Sequence, residues 1–209
     1  MRNVLHNSLP ISLDKYLNLD EKVFKEVDQE IIKVAGKIPT LKIGRGSDGK
    51  LQFIENGQYN WEVIPLVDSF YAAPDLYRKR EWNRLAKKLF PKLLAFVDNL
   101  PIQGLGRASI LKIPAGVSSP PHIDPQFHPT SPPVPEYDRI LNICFGHKKY
   151  LYMMDSMTKH RYYFEGRVNW LDVSDWHGVE PSFVDTYTLK LDVKLNAEIR
   201  TRIREEYRI

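Results

Sequence analysis

The chain has few of the features that mark secreted, membrane-spanning or disulfide-stabilised proteins. Its 209 residues include a single cysteine, Cys144, which excludes an internal disulfide framework and fits a reducing compartment. Residues 1–7 contain no long apolar run, so neither a signal peptide nor a membrane segment is predicted. Positive charge exceeds negative charge by only +4, which gives weak support to a nucleic-acid partner. These absences predict a cytoplasmic protein that does not interact with a membrane.

The length and composition predict one domain spanning residues 1–209. Hydrophobic residues make up 43% of the chain, enough for one good core, and there is no internal repeat or low-complexity segment. Cys144 lies in the apolar run from Ile140 to Phe145 and is expected to be a small buried side chain. We expect a monomer or a weak homodimer.

Short β-rich runs separated by turn residues dominate the second half of the chain. Such a series, at a spacing of roughly ten residues, is typical of a sandwich or a closed barrel. The predicted strands are Arg107–Ile113, Tyr137–Phe145, Lys149–Met154, Arg161–Trp170 and Thr186–Val193.

The first half of the chain is predicted to form helices around a small β-meander. Asp20 is placed to cap a helix that ends near Gly36, and Pro91 should kink or divide a second helix from Glu81 to Leu100. The Asp48-Gly49 and Asn56-Gly57 pairs predict hairpins between strands at 40–43, 51–54 and 59–64. The residues expected to face the core are Val23, Val27, Ile31 and Val34 on the first helix, and Trp82, Leu85, Leu89, Leu93 and Val97 on the second.

The segment His122-Ile123-Asp124 and the distant His177 are the candidate metal ligands. Residues i and i+2 of a strand project from one face, so His122 and Asp124 can point at the same ion. Two imidazoles and one carboxylate on one face of a divalent metal form the triad of non-haem Fe(II) oxygenases. With 6 His and 26 acidic residues in the chain, an acidic residue two after a histidine is expected about 0.7 times by chance. The surrounding sequence must therefore support the assignment.

Other polar and aromatic residues near these positions have ordinary interpretations. The remaining histidines at 6, 128, 147 and 160 are expected to be surface or hydrogen-bonded side chains. Asp172 and Asp175 flank His177 but lie where a turn would place solvated or capping groups. Trp170 and Trp176 could stack on a substrate, although aromatic residues at strand ends more often fill a core.

Five segments of the second half of the chain together resemble a known family. The segments S-I-L-K-I-P-A-G-V, P-P-H-I-D-P, D-R-I-L-N-I, W-L-D-V-S-D-W-H-G-V-E-P and T-L-K-L-D-V occur in this order between about residues 105 and 195. They resemble the aspartyl/asparaginyl β-hydroxylase-like branch of the Fe(II)/2-oxoglutarate-dependent oxygenases. The resemblance implies a mostly β fold with flanking helices and a double-stranded β-helix core of the jelly-roll or cupin-like type. Residues 1–100 would then be a supporting helix and meander region, 105–195 the catalytic core and 196–209 a C-terminal helix.

The resemblance also implies roles for individual residues. His122, Asp124 and His177 would bind Fe(II), and Ser109 and Arg139 would contact carboxylates of the cosubstrate 2-oxoglutarate. The family often has a histidine two residues after this arginine, where the present chain has Leu141. The part of the cosubstrate pocket next to the metal is therefore expected to differ.

A second departure concerns the cation for the distal carboxylate of 2-oxoglutarate. The family usually has an arginine about ten residues after the distal histidine, where this chain has Thr186-Tyr187-Thr188. Lys190 shares a strand face with Thr186 and Thr188, so an ammonium and two hydroxyls could replace the guanidinium. Two other cations, Arg161 and Lys149, are the alternatives.

The function implied is hydroxylation of an unactivated C–H bond with Fe(II), 2-oxoglutarate and O2, releasing succinate and CO2. The substrate is open between a free amino acid or related small molecule and a peptidyl side chain, with a slight preference for the small molecule. The proline-rich loop from Gln126 to Glu136 follows directly on the ligand segment, and is either a lid over the substrate or a stiff surface connection.

Two alternatives belong to other functional classes. An AlkB-like nucleic-acid demethylase would use an R-x-x-x-x-x-R pattern on a late strand. Arg202 and Arg208 have that spacing but lie in a helix-like sequence past the last predicted strand, so nucleic acid is not the favoured partner. A jelly roll that binds a metal or a small acid without catalysis is the other alternative. Conversion of 2-oxoglutarate to succinate distinguishes this module from an enzyme.

Overall fold

The computed structural model describes most of the β-rich second half of the chain and parts of the first half. The structure describes residues 11–17, 19–38, 41–45, 51–53, 61–67, 81–123, 140–171 and 175–207, with backbone only at 41–45, 51–53, 140 and 207. The strands are β1 Ile11–Ser12, β2 Leu41–Arg45, β3 Leu51–Phe53, β4 Trp61–Pro65, β5 Ile102–Ile113, β6 Ser119–His122, β7 Ile140–Phe145, β8 Leu151–Met154, β9 Arg161–Tyr163, β10 Val168–Leu171, β11 His177–Val179 and β12 Thr186–Leu195. The helices are α1 Asp14–Leu17, α2 Glu21–Ala35, α3 Arg84–Leu89, α4 Pro91–Asp98 and α5 Ala197–Tyr207.

Two antiparallel sheets form the body of the fold. The large sheet has the order β1-β10-β7-β12-β5-β4-β2-β3, and the small sheet has the order β6-β11-β8-β9. From β5 to β12 the chain passes repeatedly between the two sheets, with one hairpin, β8-β9, in the small sheet. This winding is a double-stranded β-helix of jelly-roll type, so the predicted fold class is confirmed. Strands β2 to β4 extend the large sheet beside β5, as predicted. The predicted hairpin between 51–54 and 59–64 was wrong, because β4 pairs with β2 and leaves β3 at the sheet edge.

Each face of the large sheet buries a different core. The outer core lies between this sheet and the helices, and is illustrated by Phe24 of α2, Phe96 of α4 and Phe145 of β7. The Phe24 and Phe145 rings stack with centroids 4.9 Å apart, and Phe96 meets both edge-on. The inner core lies between the two sheets and consists of Trp61, Val63, Leu111, Ile113, Leu151, Met153, Phe164, Leu171 and Val179.

The helix ends follow the local signals, whereas some predicted faces do not. The Asp20 side chain accepts hydrogen bonds from the backbone N–H groups of Lys22 and Val23, and thereby caps α2. Pro91 divides the second helical region as predicted, because it begins α4 directly after α3 ends. Val23 and Leu85, predicted to face the core, are 42% and 44% exposed. Those two assignments were wrong, because the sheet contacts the helices along neighbouring positions such as Phe24 and Ala86.

The predicted strand from Arg161 to Trp170 is also corrected. It is two strands, β9 in the small sheet and β10 in the large sheet, separated by residues 164–167. The change of sheet at Gly166 is tied to the N-terminal segment, since the Asp14 carboxylate accepts hydrogen bonds from the backbone N–H groups of Arg167 and Val168. The sequence analysis did not predict β1, which pairs with β10 at the sheet edge.

Some of the remaining predictions concern described residues, and others concern residues outside the described ranges. Cys144 is buried as predicted, and Trp170 lies in the outer core. The predicted lid, residues 126–136, and the hairpin turns at 48–49 and 56–57 lie outside the described residues. None of the helices in the described ranges is long and apolar enough to cross a membrane.

Candidate metal centre

Two of the three predicted metal ligands meet on neighbouring strands. Strands β6 and β11 pair antiparallel, with His122 directly opposite His177. Their ring centroids are 4.4 Å apart with an angle of 50° between the planes. His177 is 3% exposed and His122 is partly buried. Residues widely separated in the sequence therefore present two imidazoles to one point.

Hydrogen bonds determine which ring nitrogen of each histidine carries the proton. His122 Nδ1 lies 2.8 Å from the carbonyl oxygen of Pro120, and His177 Nδ1 lies 2.9 Å from the carbonyl oxygen of Asp175. A carbonyl oxygen can only accept, so Nδ1 is the donor in both rings. In the neutral imidazole the lone pair is then on Nε2. This arrangement, with the second nitrogen oriented by a backbone carbonyl, is the one that metal-binding histidines generally have.

The third predicted ligand, Asp124, lies outside the described residues, and so does Arg139. Within the described ranges, no group of three or more His, Cys, Asp and Glu side chains is placed to hold a metal ion. The histidine pair is therefore the observed part of the predicted triad, and the carboxylate stays a prediction.

The histidine pair lies between the sheets, beside the inner core. Val179 and Met153 of the inner core share the inward face with His177, because they lie two residues along β11 and directly opposite on β8. The Trp61 ring lies 5.8 Å from the His122 ring. Apolar side chains thus surround the imidazoles and reduce the access of water to them.

The inner face of the large sheet is polar next to this apolar region. Along β12, Leu189 and Leu191 point into the outer core, so Thr186, Thr188 and Lys190 point between the sheets. Ser109 on β5 lies opposite Lys190 and is buried. The structure therefore brings Ser109, Thr186, Thr188 and Lys190 to one face, and the alternation along β12 predicted this for the last three.

The two alternative cations lie in very different places. Arg161 is exposed on the outer face of the small sheet, where it pairs with Glu180. Lys149 is 4% exposed, and its Nζ donates to Thr188 Oγ1 over 3.2 Å. Burial lowers the pKa of Lys149 to about 8, and the nearby charge of Lys190 acts in the same direction. The sequence contains no signal that separates buried Lys149 from exposed Lys148.

Two buried asparagines on the same inner face were missed by the sequence analysis. Asn142 of β7 and Asn169 of β10 lie opposite each other, and each is 1% exposed. The Asn142 Nδ2 and Asn169 Oδ1 atoms have no hydrogen-bond partner among the described residues. A buried polar atom without a partner costs about 1–3 kcal/mol, so these amides indicate a place where a polar ligand is favourable.

Gly178 keeps the two histidine strands close together. A Cβ at this position would clash with the buried Tyr152 hydroxyl and lie 2.7 Å from the Ser119 carbonyl oxygen on β6. The Gly178→Ala substitution should therefore lower the free energy of unfolding by about 1–3 kcal/mol. It should also weaken metal binding, because β6 must move away from β11 and separate His122 from His177.

Urea denaturation and titration with Co²⁺ would measure both effects of Gly178→Ala. Gly36→Ala is the matched control, since Gly36 has a φ of −74° and nothing within 4 Å of an added Cβ. Equal metal affinity in wild type and Gly178→Ala would show that the close approach of the two strands does not position the histidines.

Comparisons with known proteins give only distant likenesses. No protein-family profile and no curated protein matches the chain. Among solved structures, a 2OG-Fe(II) oxygenase family oxidoreductase from Burkholderia pseudomallei is 10% identical, with a TM-score of 0.45, over 80% of this chain and 77% of that one. A Trichoplax adhaerens prolyl hydroxylase in complex with a hypoxia inducible factor peptide is 14% identical, with a TM-score of 0.47, over 88% and 82%. A Pseudomonas putida prolyl-4-hydroxylase is 10% identical, with a TM-score of 0.43, over 86% and 89%. Likenesses of this size do not establish a family for the chain.

Proposed function

We propose that this protein is an Fe(II)- and 2-oxoglutarate-dependent dioxygenase that hydroxylates an unactivated C–H bond. The observation that supports this most is the pair of His122 and His177, whose ring centroids are 4.4 Å apart and whose Nδ1 atoms both donate to backbone carbonyls. His177 is buried and His122 is partly buried. Asp124, two residues after His122, supplies the carboxylate of the proposed triad.

The donor set fits Fe(II) better than a structural metal. Metal–nitrogen bonds of about 2 Å at a right angle bring two Nε2 atoms within roughly 3 Å of each other, which is compatible with the observed ring separation. Two imidazoles and one carboxylate on one face leave positions open for reactants. A structural zinc site would usually be saturated by four protein ligands.

Together with 2-oxoglutarate and O2, bound iron would supply the oxidant for C–H hydroxylation. Succinate and CO2 would be released. His122, Asp124 and His177 would hold the iron. The polar inner face would bind the cosubstrate, with Ser109, Thr186 and Thr188 as hydrogen-bonding groups and Lys190 or Lys149 as the cation. Arg139, outside the described residues, is the further cosubstrate contact that the sequence predicts. The inner core around Trp61 would exclude water from the reaction.

The substrate proposed is an amino acid or a related small molecule, with a peptidyl side chain as the other candidate. The nucleic-acid alternative is not favoured. Arg202 lies on helix α5, where its guanidinium stacks on the Tyr16 ring, and not on a strand that lines the space between the sheets. Cytoplasmic location and a monomeric or weakly dimeric state stay predictions.

Turnover of 2-oxoglutarate in the absence of substrate tests the proposal directly. Purified protein with Fe(II), 2-oxoglutarate and O2 is expected to form succinate, and omission of any one of the three or addition of a chelator should stop its formation. Pooled amino acids and peptides would then be screened for a mass gain of one oxygen. If the protein binds Fe(II) but forms no succinate with or without these pools, the non-catalytic alternative replaces the enzyme.

A further inference from the structure

A buried ammonium group lies against the inner face of the large sheet. Lys149 belongs to the connection between β7, which ends at Phe145, and β8, which begins at Leu151. Its Nζ reaches Thr188 Oγ1, 3.2 Å away, on the inner face of β12. The neighbouring Lys148 is exposed, so the fold selects one of two adjacent lysines for burial.

Among the described residues, Lys149 has no acidic partner for its charge. An ammonium has three donors, and one hydrogen bond, to a neutral hydroxyl, is observed here. In the part of the chain that the structure describes, no Asp or Glu side chain forms an ion pair with Lys149. The charged or titratable groups that face it are Cys144 on β7 and Lys190 on β12. Buried lysines are almost always paired, so this one calls for an anion.

A second polar group independently indicates a ligand in the same space. The Asn142 Nδ2 atom is buried on the inner face of β7, two residues before Cys144, and has no hydrogen-bond partner among the described residues. Cys144 itself lies opposite Thr188, the hydroxyl that Lys149 contacts. An amide N–H, a hydroxyl and an ammonium therefore line one region between the sheets, and each can donate a hydrogen bond to an anionic oxygen.

Lys149 and the histidine pair lie along the direction of one strand. Lys149 comes two residues before β8 begins at Leu151, whereas His177 lies opposite Met153 of that strand. The four residues from Lys149 to Met153 span at most about 14 Å of extended backbone. The Lys149 side chain, which reaches Thr188 on β12, covers part of this separation. A short dicarboxylate that reaches the histidines at one end can therefore place its other carboxylate near the Lys149 ammonium.

We propose that Lys149, with the Thr188 hydroxyl, binds one carboxylate of a dicarboxylate ligand whose other end lies at His122 and His177. When the ligand is 2-oxoglutarate, this proposal rests on the proposed function. The distal carboxylate of 2-oxoglutarate is then assigned to Lys149 in preference to Lys190. Lys190 is only partly buried, so water already compensates part of its charge.

The proton affinity of the lysine makes the proposed contact dependent on pH. Because burial lowers the pKa of Lys149 to about 8, the group is mostly protonated at pH 7 and can pair with a carboxylate. Above pH 8 the ligand must bind together with a proton. The dissociation constant is then expected to rise about tenfold per pH unit.

A pair of ligands isolates the proposed contact. 2-Oxoglutarate and 2-oxobutyrate share the 2-oxo acid end, and 2-oxobutyrate lacks the distal carboxylate. Titration calorimetry under anaerobic conditions with Mn²⁺ would give the affinity of each. We expect Lys149→Met to weaken 2-oxoglutarate binding by about 30-fold or more and to leave 2-oxobutyrate binding unchanged. Lys148→Met is the matched control and should behave as wild type.

Further variants distinguish the possible results. Lys149→Arg, which keeps its charge at high pH, should lose the dependence on pH and retain part of the affinity. If Lys190→Met weakens 2-oxoglutarate selectively while Lys149→Met does not, the assignment to Lys149 is wrong. Circular dichroism of each variant would show that the fold is retained.

Titration of the metal-free protein with glutarate separates this inference from the proposed function. Glutarate binding that needs Lys149, in a protein that neither binds Fe(II) nor forms succinate, would support the anion site and overturn the oxygenase proposal. If the protein forms succinate and Lys149→Met has an unchanged affinity for 2-oxoglutarate, the oxygenase proposal is supported and the anion site at Lys149 is overturned.

Discussion

Replacing His177 with alanine is expected to abolish stoichiometric Fe(II) binding and to lower succinate formation by more than about 100-fold. Loss of a group that merely orients a metal ligand already costs about 10- to 100-fold in metal affinity or activity, so loss of a ligand should cost more. The effect should be large because His177 is buried and shares the proposed ion with only two other side chains, His122 and Asp124. The same result is expected for His122→Ala.

Two quantities would be measured on the same samples. These are the Fe(II) content after anaerobic loading and the rate of succinate formation. His160→Ala is the control, since His160 is an exposed histidine outside the space between the sheets. His177→Gln serves as a second variant of similar size if alanine leaves a cavity that unfolds the protein. Wild-type Fe(II) content in folded His177→Ala and His122→Ala would contradict the proposed triad.

Replacing Lys149 with methionine is expected to raise the free energy of unfolding at pH 7 by about 2–3 kcal/mol. Its pKa is lowered from 10.5 to about 8 in the folded protein, and a shift of this size corresponds to a cost on the order of 3 kcal/mol. Loss of the hydrogen bond to Thr188 offsets roughly 1 kcal/mol of the gain. The same substitution should remove the proposed carboxylate contact, so stability and binding change in opposite directions.

The difference in stability between wild type and Lys149→Met is expected to depend on pH. Between about pH 8 and pH 10.5 the unfolded chain binds more protons at Lys149 than the folded chain does. The stability of the wild type should therefore rise relative to the variant over this range. Below pH 8 the full cost is present, and above pH 10.5 it is absent.

Urea denaturation at pH 7, 8.5 and 10 would measure the difference between wild type and Lys149→Met. Lys148→Met, at an exposed position, should differ from wild type by less than about 0.5 kcal/mol. A Lys149→Met protein that is less stable than wild type at pH 7, or a difference that does not change with pH, would show that the buried ammonium is already compensated. Glutarate should stabilise the wild type and have no effect on the variant.

Local sequence signals predicted much of the backbone correctly. Asp20 caps α2, Pro91 begins α4, and the alternation along β12 places Thr186, Thr188 and Lys190 on one face. These features depend on a few adjacent residues, because caps, proline geometry and the two-residue period of a strand are local properties. The Pro-rich segment and Asp124 stay predictions, since they lie outside the described residues.

The faces of the helices and the path of the strands were less predictable. Val23 belongs to the apolar stripe of α2 but is 42% exposed, because Phe24 is the residue that packs on the sheet. The run from Arg161 to Trp170 contains β-forming residues throughout, and only the pairing of β10 with β7 and of β9 with β8 divides it between two sheets. A propensity records how well a residue fits a strand and carries no information about which partner that strand finds.

The sequence by itself determined most of the β-rich segments, the candidate ligands His122 and His177, and the chemistry that such ligands favour. Only the tertiary structure decided that these two rings face each other across β6 and β11, and that Lys149, not Lys148, is buried against Thr188. The physical reason is that the strand period and the type of donor atom are properties of short segments. Which side chain loses its water depends on contacts between residues that are far apart in the chain.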